Sequence, residues 1–140
     1  MENYKKIAQF IAKHHVLTLA TATQDGAPYC CNAFYAYDKV DCAFIFTTDS
    51  TTRHGQMMLE NNRVAASIVL ETRIVGKIQG LQITGNIKPA HEHDKATYLK
   101  RFPYAVVADL CLWRLEPDFM KLTDNTLGFG KKLIWQKEVL

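Results

Sequence analysis

The sequence predicts a mainly β, α+β fold: an antiparallel barrel of about six or seven short strands with peripheral helices. Three observations predict it. Short runs rich in β-branched and aromatic residues recur between turn residues, early hairpin turns link them, and no strand–helix–strand alternation intervenes. At 140 residues, with 48% apolar and 22% charged side chains, the chain suits one domain spanning 1–140 with a single core.

The elements follow in order. Tyr4, Ile7, Ala8 and Ile11 recur at helical spacing, so a helix is expected from Asn3, as N-cap, to about His14. Val16 to Thr23 is rich in β-branched residues and reads as a strand. Gln24-Asp25-Gly26-Ala27-Pro28 reads as a turn, because glycine supplies positive φ and proline stops a ladder. Strands are expected at Tyr29–Tyr37 and Ala43–Thr48, joined by a turn over Asp38 to Asp41. Ser50 is expected to cap a short helix from Thr51 to Asn61. Val64 to Leu70 is nearly all apolar, which predicts burial on both faces. A long strand from Lys77 to Ile87 carries Gly80 and Gly85 as candidate bulges. Pro89 is expected to open a helix that ends at Arg101, before Phe102-Pro103. Three last strands are expected at Leu112–Leu115, Met120–Thr123 and Lys132–Gln136.

Composition sets bounds on function. The formal charge is +3 without basic blocks, which argues against nucleic-acid binding. No apolar run approaches a membrane span, and no leader-like segment opens the chain, so a cytoplasmic protein with reduced thiols is expected. The four cysteines, Cys30, Cys31, Cys42 and Cys111, form no Cys-x-x-Cys pair. His91-x-His93-Asp94 lacks further ligands at metal-site spacing, so no metal is expected.

One segment stands out for chemistry: Phe46-Thr47-Thr48-Asp49-Ser50-Thr51-Thr52-Arg53-His54. A strand ends there and a helix begins. Free amide hydrogens, several hydroxyls and one guanidinium would gather, a combination suited to an anion such as phosphate. The same residues also suit an ordinary capped helix with a solvent-facing arginine. Gly128-Phe129-Gly130-Lys131-Lys132 has neither Walker nor dinucleotide-loop spacing; it could bring a lysine to an anion or be a simple turn. No catalytic acid, base or nucleophile can be named from spacing.

The order of segments resembles pyridoxamine 5′-phosphate oxidase-related proteins. The resemblance rests on Asp25-Gly26-x-Pro28, Phe46-Thr47-Thr48, Thr52-Arg53-His54, Glu60-Asn61-Asn62-Arg63-Val64, Gln82-Ile83-Thr84-Gly85 and Arg114-Leu115-Glu116-Pro117-Asp118-Phe119. The run from Thr123 through Asn125 and Lys131 to Trp135 resembles a small bacterial branch of that family, the YhbP-like proteins. The resemblance covers residues 14 to 135. It implies an FMN-binding split barrel, working as a homodimer with flavin at the subunit interface, and a flavin-dependent oxidoreductase of unknown substrate. It places Thr47, Thr48, Thr52, Arg53 and His54 on the phosphate and ribityl chain; Asn125 and Lys131, from the terminal loop, are further candidates for the site. A non-enzymatic flavin or haem carrier or sensor is the alternative, since fold does not fix function. The chain departs from the true oxidases: Cys30 or Cys31 falls near an expected Arg, Tyr35 near an expected Lys, His54 replaces a Lys, and Gly80 replaces a Gln. These departures argue against vitamin B6 oxidation.

Overall fold

In the computed structural model, which describes residues 2–138, seven strands form one antiparallel sheet in the order β3-β2-β1-β4-β5-β6-β7. The strands are β1 Val16–Ala22, β2 Pro28–Asp38, β3 Ala43–Thr47, β4 Arg63–Leu70, β5 Gln79–Pro89, β6 Leu112–Asp124 and β7 Lys132–Gln136. The helices are α1 Glu2–Lys13, α2 Arg53–Glu60 and α3 Asp94–Arg101. β3 also pairs with β6, which closes six strands into a barrel and leaves β7 as an added strand.

One long strand explains the split. The first part of β6 pairs with β3, from Thr47↔Leu112 to Phe44↔Leu115. Its second part pairs with β7, from Phe119↔Gln136 to Thr123↔Lys132. Between them the register against β5 shifts by one residue next to Gly85, which faces Pro117 while Thr84 faces Phe119. A bulge of this kind bends a strand and lets two partners share one edge. The sequence reading divides β6 into two strands, Leu112–Leu115 and Met120–Thr123, on either side of Pro117. The bulge instead absorbs the proline within one continuous strand.

The core follows from strand alternation. Leu17 and Leu19, Val64, Ala66 and Ile68, and Leu81, Ile83 and Ile87 all point inward. Tyr35, Phe44, Phe46, Leu115, Met120 and Leu122 complete the barrel interior, and α1 adds Ile7, Phe10 and Ile11. Ala36, Ala43 and Ile45 face outward under α3, where they meet Tyr98 in a second apolar cluster. β4 is not buried on both faces, since Ser67 and Val69 are exposed. Small and apolar side chains on that outer face account for the unbroken apolar pattern.

Other boundaries move for local reasons. Asn3 lies inside α1, where its amide donates to the Ile134 carbonyl, so it is no cap. Thr23 leaves the strand for the hairpin turn: its hydroxyl accepts from the Ala27 amide, and Gly26 takes a φ of 93°. Pro28 opens β2 opposite Ala22 instead of stopping the ladder. Lys77 ends a 3₁₀ turn over Val75–Lys77 before β5 begins. Gly80 stays in register opposite Val69 and Thr123, so only Gly85 marks a bulge. Pro89 closes β5, and α3 starts five residues later at Asp94. No helix among the described residues is long and apolar enough to cross a membrane.

Candidate functional site

The segment from Thr47 to His54 folds as a strand end, a tight turn and the first turn of α2. Thr47 is locked to the neighbouring strand: its hydroxyl donates to the Cys111 carbonyl at 3.2 Å and accepts from the Cys111 amide at 3.1 Å. The Thr48 amide bonds the same carbonyl at 3.0 Å, and the Thr48 hydroxyl bonds His54 Nε2. The Thr48 carbonyl accepts from Trp113 Nε1 at 3.1 Å.

Thr52, not Ser50, caps α2. Its hydroxyl accepts from the Gly55 amide at 3.1 Å and donates to the Asp49 carbonyl at 2.7 Å. Ser50 contributes only its carbonyl, which accepts from the Gln56 side chain at 2.5 Å. Gly55 lets the turn close, because a β-carbon there would stand 2.5 Å from the Asp49 carbonyl oxygen. Hydrogen bonds from the Thr51 amide and hydroxyl hold the Asp49 carboxyl below its ordinary pKa. That carboxylate is therefore turned toward Thr51. Thr52→Ala is expected to cost about 1 kcal/mol of stability, with Thr52→Ser close to neutral. Urea unfolding checks this, and an unchanged midpoint in Thr52→Ala would show that the cap carries nothing.

Arg53 is exposed, and its guanidinium lies 4.8 Å from the centre of the Tyr29 ring, at the start of β2. It makes no ion pair among the described residues. Burial pushes the His54 imidazole below its ordinary pKa, which favours the neutral ring at neutral pH. The junction thus presents one unpaired cation, the α2 N-terminus and a neutral histidine.

His54, Thr47, Thr48 and Phe46 line a cleft of about 250 Å³, together with Cys31 to Phe34 of β2 and Tyr98 of α3. Asn32 in this cleft accepts a 2.9 Å hydrogen bond from Thr18. Thr18 in turn lines a second, more apolar cleft of about 420 Å³ with Ala20, Cys30, Ala65, Gln82 and Phe119. The two clefts therefore adjoin across β1 and β2 on the outer face of the barrel. Burial also pushes the Cys31 thiol above its ordinary pKa, which disfavours a thiolate there.

Asn125 and Lys131 lie elsewhere in the chain. They belong to the loop after β6, whereas Thr47 pairs with the first residue of that strand. The length of β6 between them corresponds to about 40 Å of extended chain. Asn125 organises its own loop, donating to the Val75 carbonyl at 2.9 Å and accepting from the Gly130 amide at 3.1 Å. Gly128 and Gly130 take φ values of 129° and 74° there, and Lys131 is exposed. Within one chain the structure brings Thr47, Thr48, Thr52, Arg53 and His54 together, and leaves Asn125 and Lys131 apart. Sequence reasoning missed Tyr29, Asn32 and Gly55. A polar Asn inside an apolar strand and a Gly in a short helix were the signals available.

The comparisons agree with this architecture. Residues 4–121 match the family model for pyridoxamine 5′-phosphate oxidase. A UPF0306 protein from Photorhabdus laumondii is 43% identical over 140 residues, covering 97% of each chain. The UPF0306 protein YhbP from Escherichia coli O157:H7 is 40% identical over 139 residues, covering 96% of this chain and 94% of that one. Among solved structures, a heme binding protein from Mycobacterium smegmatis superposes with a TM-score of 0.75 at 20% identity, over 96% of this chain and 57% of the other. An FAD-binding protein from Mesorhizobium loti gives 0.68 at 16% identity, over 84% and 89%. At those identities the structures establish the fold. The chain belongs to the pyridoxamine 5′-phosphate oxidase family, in its UPF0306 branch.

Proposed function

We propose that the protein binds FMN at the Thr47–His54 junction and serves as a flavin-dependent oxidoreductase. The observation that carries this reading is Arg53: an exposed guanidinium with no acidic partner, at the N-terminus of α2. Such a group fits a dianionic phosphate, because the helix amides and the guanidinium both favour negative charge. The donor set fits in part. The Thr47 and Thr52 hydroxyls already serve the backbone, so Arg53 and the helix amides supply most of the grip. When bound, flavin supplies electron transfer at its ring, while protein groups orient it and limit solvent access.

The same reading includes a homodimer with the flavin at the subunit interface. The outer faces of β1, β4 and β5 carry the uncharged Thr18, Ala20, Ala65, Ser67, Gln82 and Thr84, bordered by the Arg63–Asp118 ion pair. Phe34 and Val69 stand exposed on strands of that face. A cleft of about 250 Å³ beside the junction is small for a whole flavin nucleotide, and a second copy would enclose the remainder. A partner's loop would also bring its Asn125 and Lys131 to a site they cannot reach within their own chain.

Purified protein is expected to be yellow, and added FMN is expected to raise its melting temperature. Arg53→Ala should weaken FMN binding by roughly 10–150-fold, equivalent to about 1.5–3 kcal/mol for hydrogen bonds to a charged group. Flavin fluorescence titration reads this. A colourless protein with no thermal shift from FMN would overturn the proposal. A Soret band on hemin titration, with no flavin response, would favour the haem-carrier reading.

A further inference from the structure

We propose a divalent metal site, separate from the flavin junction, formed by Asp38, Asp41 and His93. It lies at the opposite end of β3 from Thr47, where β2 ends, the β2–β3 turn begins and the segment before α3 returns. One ligand atom from each of the three residues falls within 4.8 Å of the other two.

His93 Nε2 stands 3.3 Å from Asp41 Oδ2, 3.4 Å from Asp94 Oδ1 and 3.7 Å from Asp38 Oδ2. All three exceed the usual ~2.7–3.2 Å of an N–H···O hydrogen bond. Asp94 Oδ1 is already held by Arg114 at 2.8 Å, so Asp38 and Asp41 are the carboxylates left to an ion. Their separations from His93 lie close to the edge of a tetrahedron around zinc, about 3.3–3.6 Å for bonds of ~2.0–2.2 Å. The local chain prepares the set. Asp38 Oδ1 accepts from the Val40 and Asp41 amides at 3.1 Å each, which leaves Oδ2 directed toward His93. Three protein ligands leave a fourth position for water, the arrangement of an open zinc site.

Charge supplies an independent argument. Asp41 Oδ2 also touches Arg114 Nη2 at 3.2 Å, but that arginine is already paired with Asp94 at 2.8 Å and Glu116 at 2.9 Å. Glu116 also pairs with Lys88 at 2.7 Å. The paired network therefore sets the carboxylates of Asp38, Asp41, Asp94 and Glu116 against Arg114 and Lys88. These four carboxylates exceed the two cations by two negative charges, which one divalent cation would balance. Imidazole with carboxylate oxygens selects a borderline ion such as Zn²⁺ over Mg²⁺.

The test uses full-length protein stripped with a chelator, then titrated calorimetrically with Zn²⁺ alone. One Zn²⁺ per chain is expected, and His93→Ala and Asp41→Asn should each weaken binding by about tenfold or more. His93 is 54% exposed at its side chain, so His93→Ala should retain the metal-free melting temperature. Because four thiols could also take zinc, Co²⁺ is the second probe. Visible d–d bands without an intense thiolate charge-transfer band support the site. No uptake, uptake unchanged in His93→Ala, or a thiolate band would each overturn it.

Discussion

Replacing Arg114 with methionine lowers the free energy of unfolding by about 3–5 kcal/mol, the range for removing one partner of a buried ion pair. Arg114 is 2% exposed and Asp94 is 0% exposed, so neither charge has water to fall back on. The guanidinium reaches three carboxylates in three directions: Asp94 from α3, Glu116 from its own strand and Asp41 from the β2–β3 turn. Burial of Arg114 disfavours its charge, but these partners outweigh that and raise its pKa above the ordinary value. Burial likewise pushes Glu116 up, yet hydrogen bonds from Lys88 and Arg114 prevail and hold its carboxyl below the usual range. Methionine would fill the volume and leave the buried Asp94 carboxylate with only the His91 amide at 2.8 Å and His93 Nε2 at 3.4 Å. Arg114→Lys should rescue little, since a single ammonium cannot serve three separate acceptors. Chemical denaturation at fixed protein concentration measures the effect. A denaturant midpoint and slope unchanged from the parent would mean that the network is ornamental.

Much of the barrel was legible because its determinants are local. Gly26 reads as a turn residue because only a residue tolerant of positive φ suits that hairpin, and the structure gives it a φ of 93°. The β7 boundaries at Lys132 and Gln136 were legible for a similar reason, with glycines before the strand. The errors fall where tertiary pairing overrides a local signal. Pro89 was read as a helix start, although its pairing with Trp113 keeps it in β5. Ser50 and Thr52 are equally good caps by residue type; the turn geometry that gives the Gly55 amide to Thr52 is not written in either residue.

The candidate site was legible in the same uneven way. Thr47 through His54 are contiguous, so a chain reversal that gathers their donors could be read from spacing alone. Which hydroxyls stay free could not. Thr47 loses its hydroxyl to Cys111, a residue 64 positions away. Asn125 and Lys131 entered as candidates from the glycine-rich terminal loop, and one chain keeps them at the far end of β6. The metal cluster was invisible for the converse reason. Asp38 and Asp41 meet His93 only because α3 folds over β2 and β3, which no local motif announces.

Gly85→Ala is expected to destabilise the fold by about 3 kcal/mol, as an overpacking change at a backbone contact. A β-carbon at Gly85 would stand 2.3 Å from the Glu116 carbonyl oxygen and 2.9 Å from Pro117 Cα. Both are main-chain atoms, so no side-chain rotation relieves the overlap. The strands must separate at the bulge, where the partner edge of β6 changes from β3 to β7. The cost therefore reaches beyond one contact. It disturbs Asp118, whose carboxylate accepts from Thr84 at 2.6 Å and from Arg63 at 2.5 Å. At roughly 3 °C per kcal/mol for a chain of this size, the melting temperature should fall by about 10 °C. Gly80→Ala is the matched control: its added carbon would meet nothing nearer than the Ile68 carbonyl at 3.9 Å, and the change should stay near neutral. Equal losses for the two variants would show that glycine in β5 matters for chain flexibility alone, and that the bulge imposes no close approach.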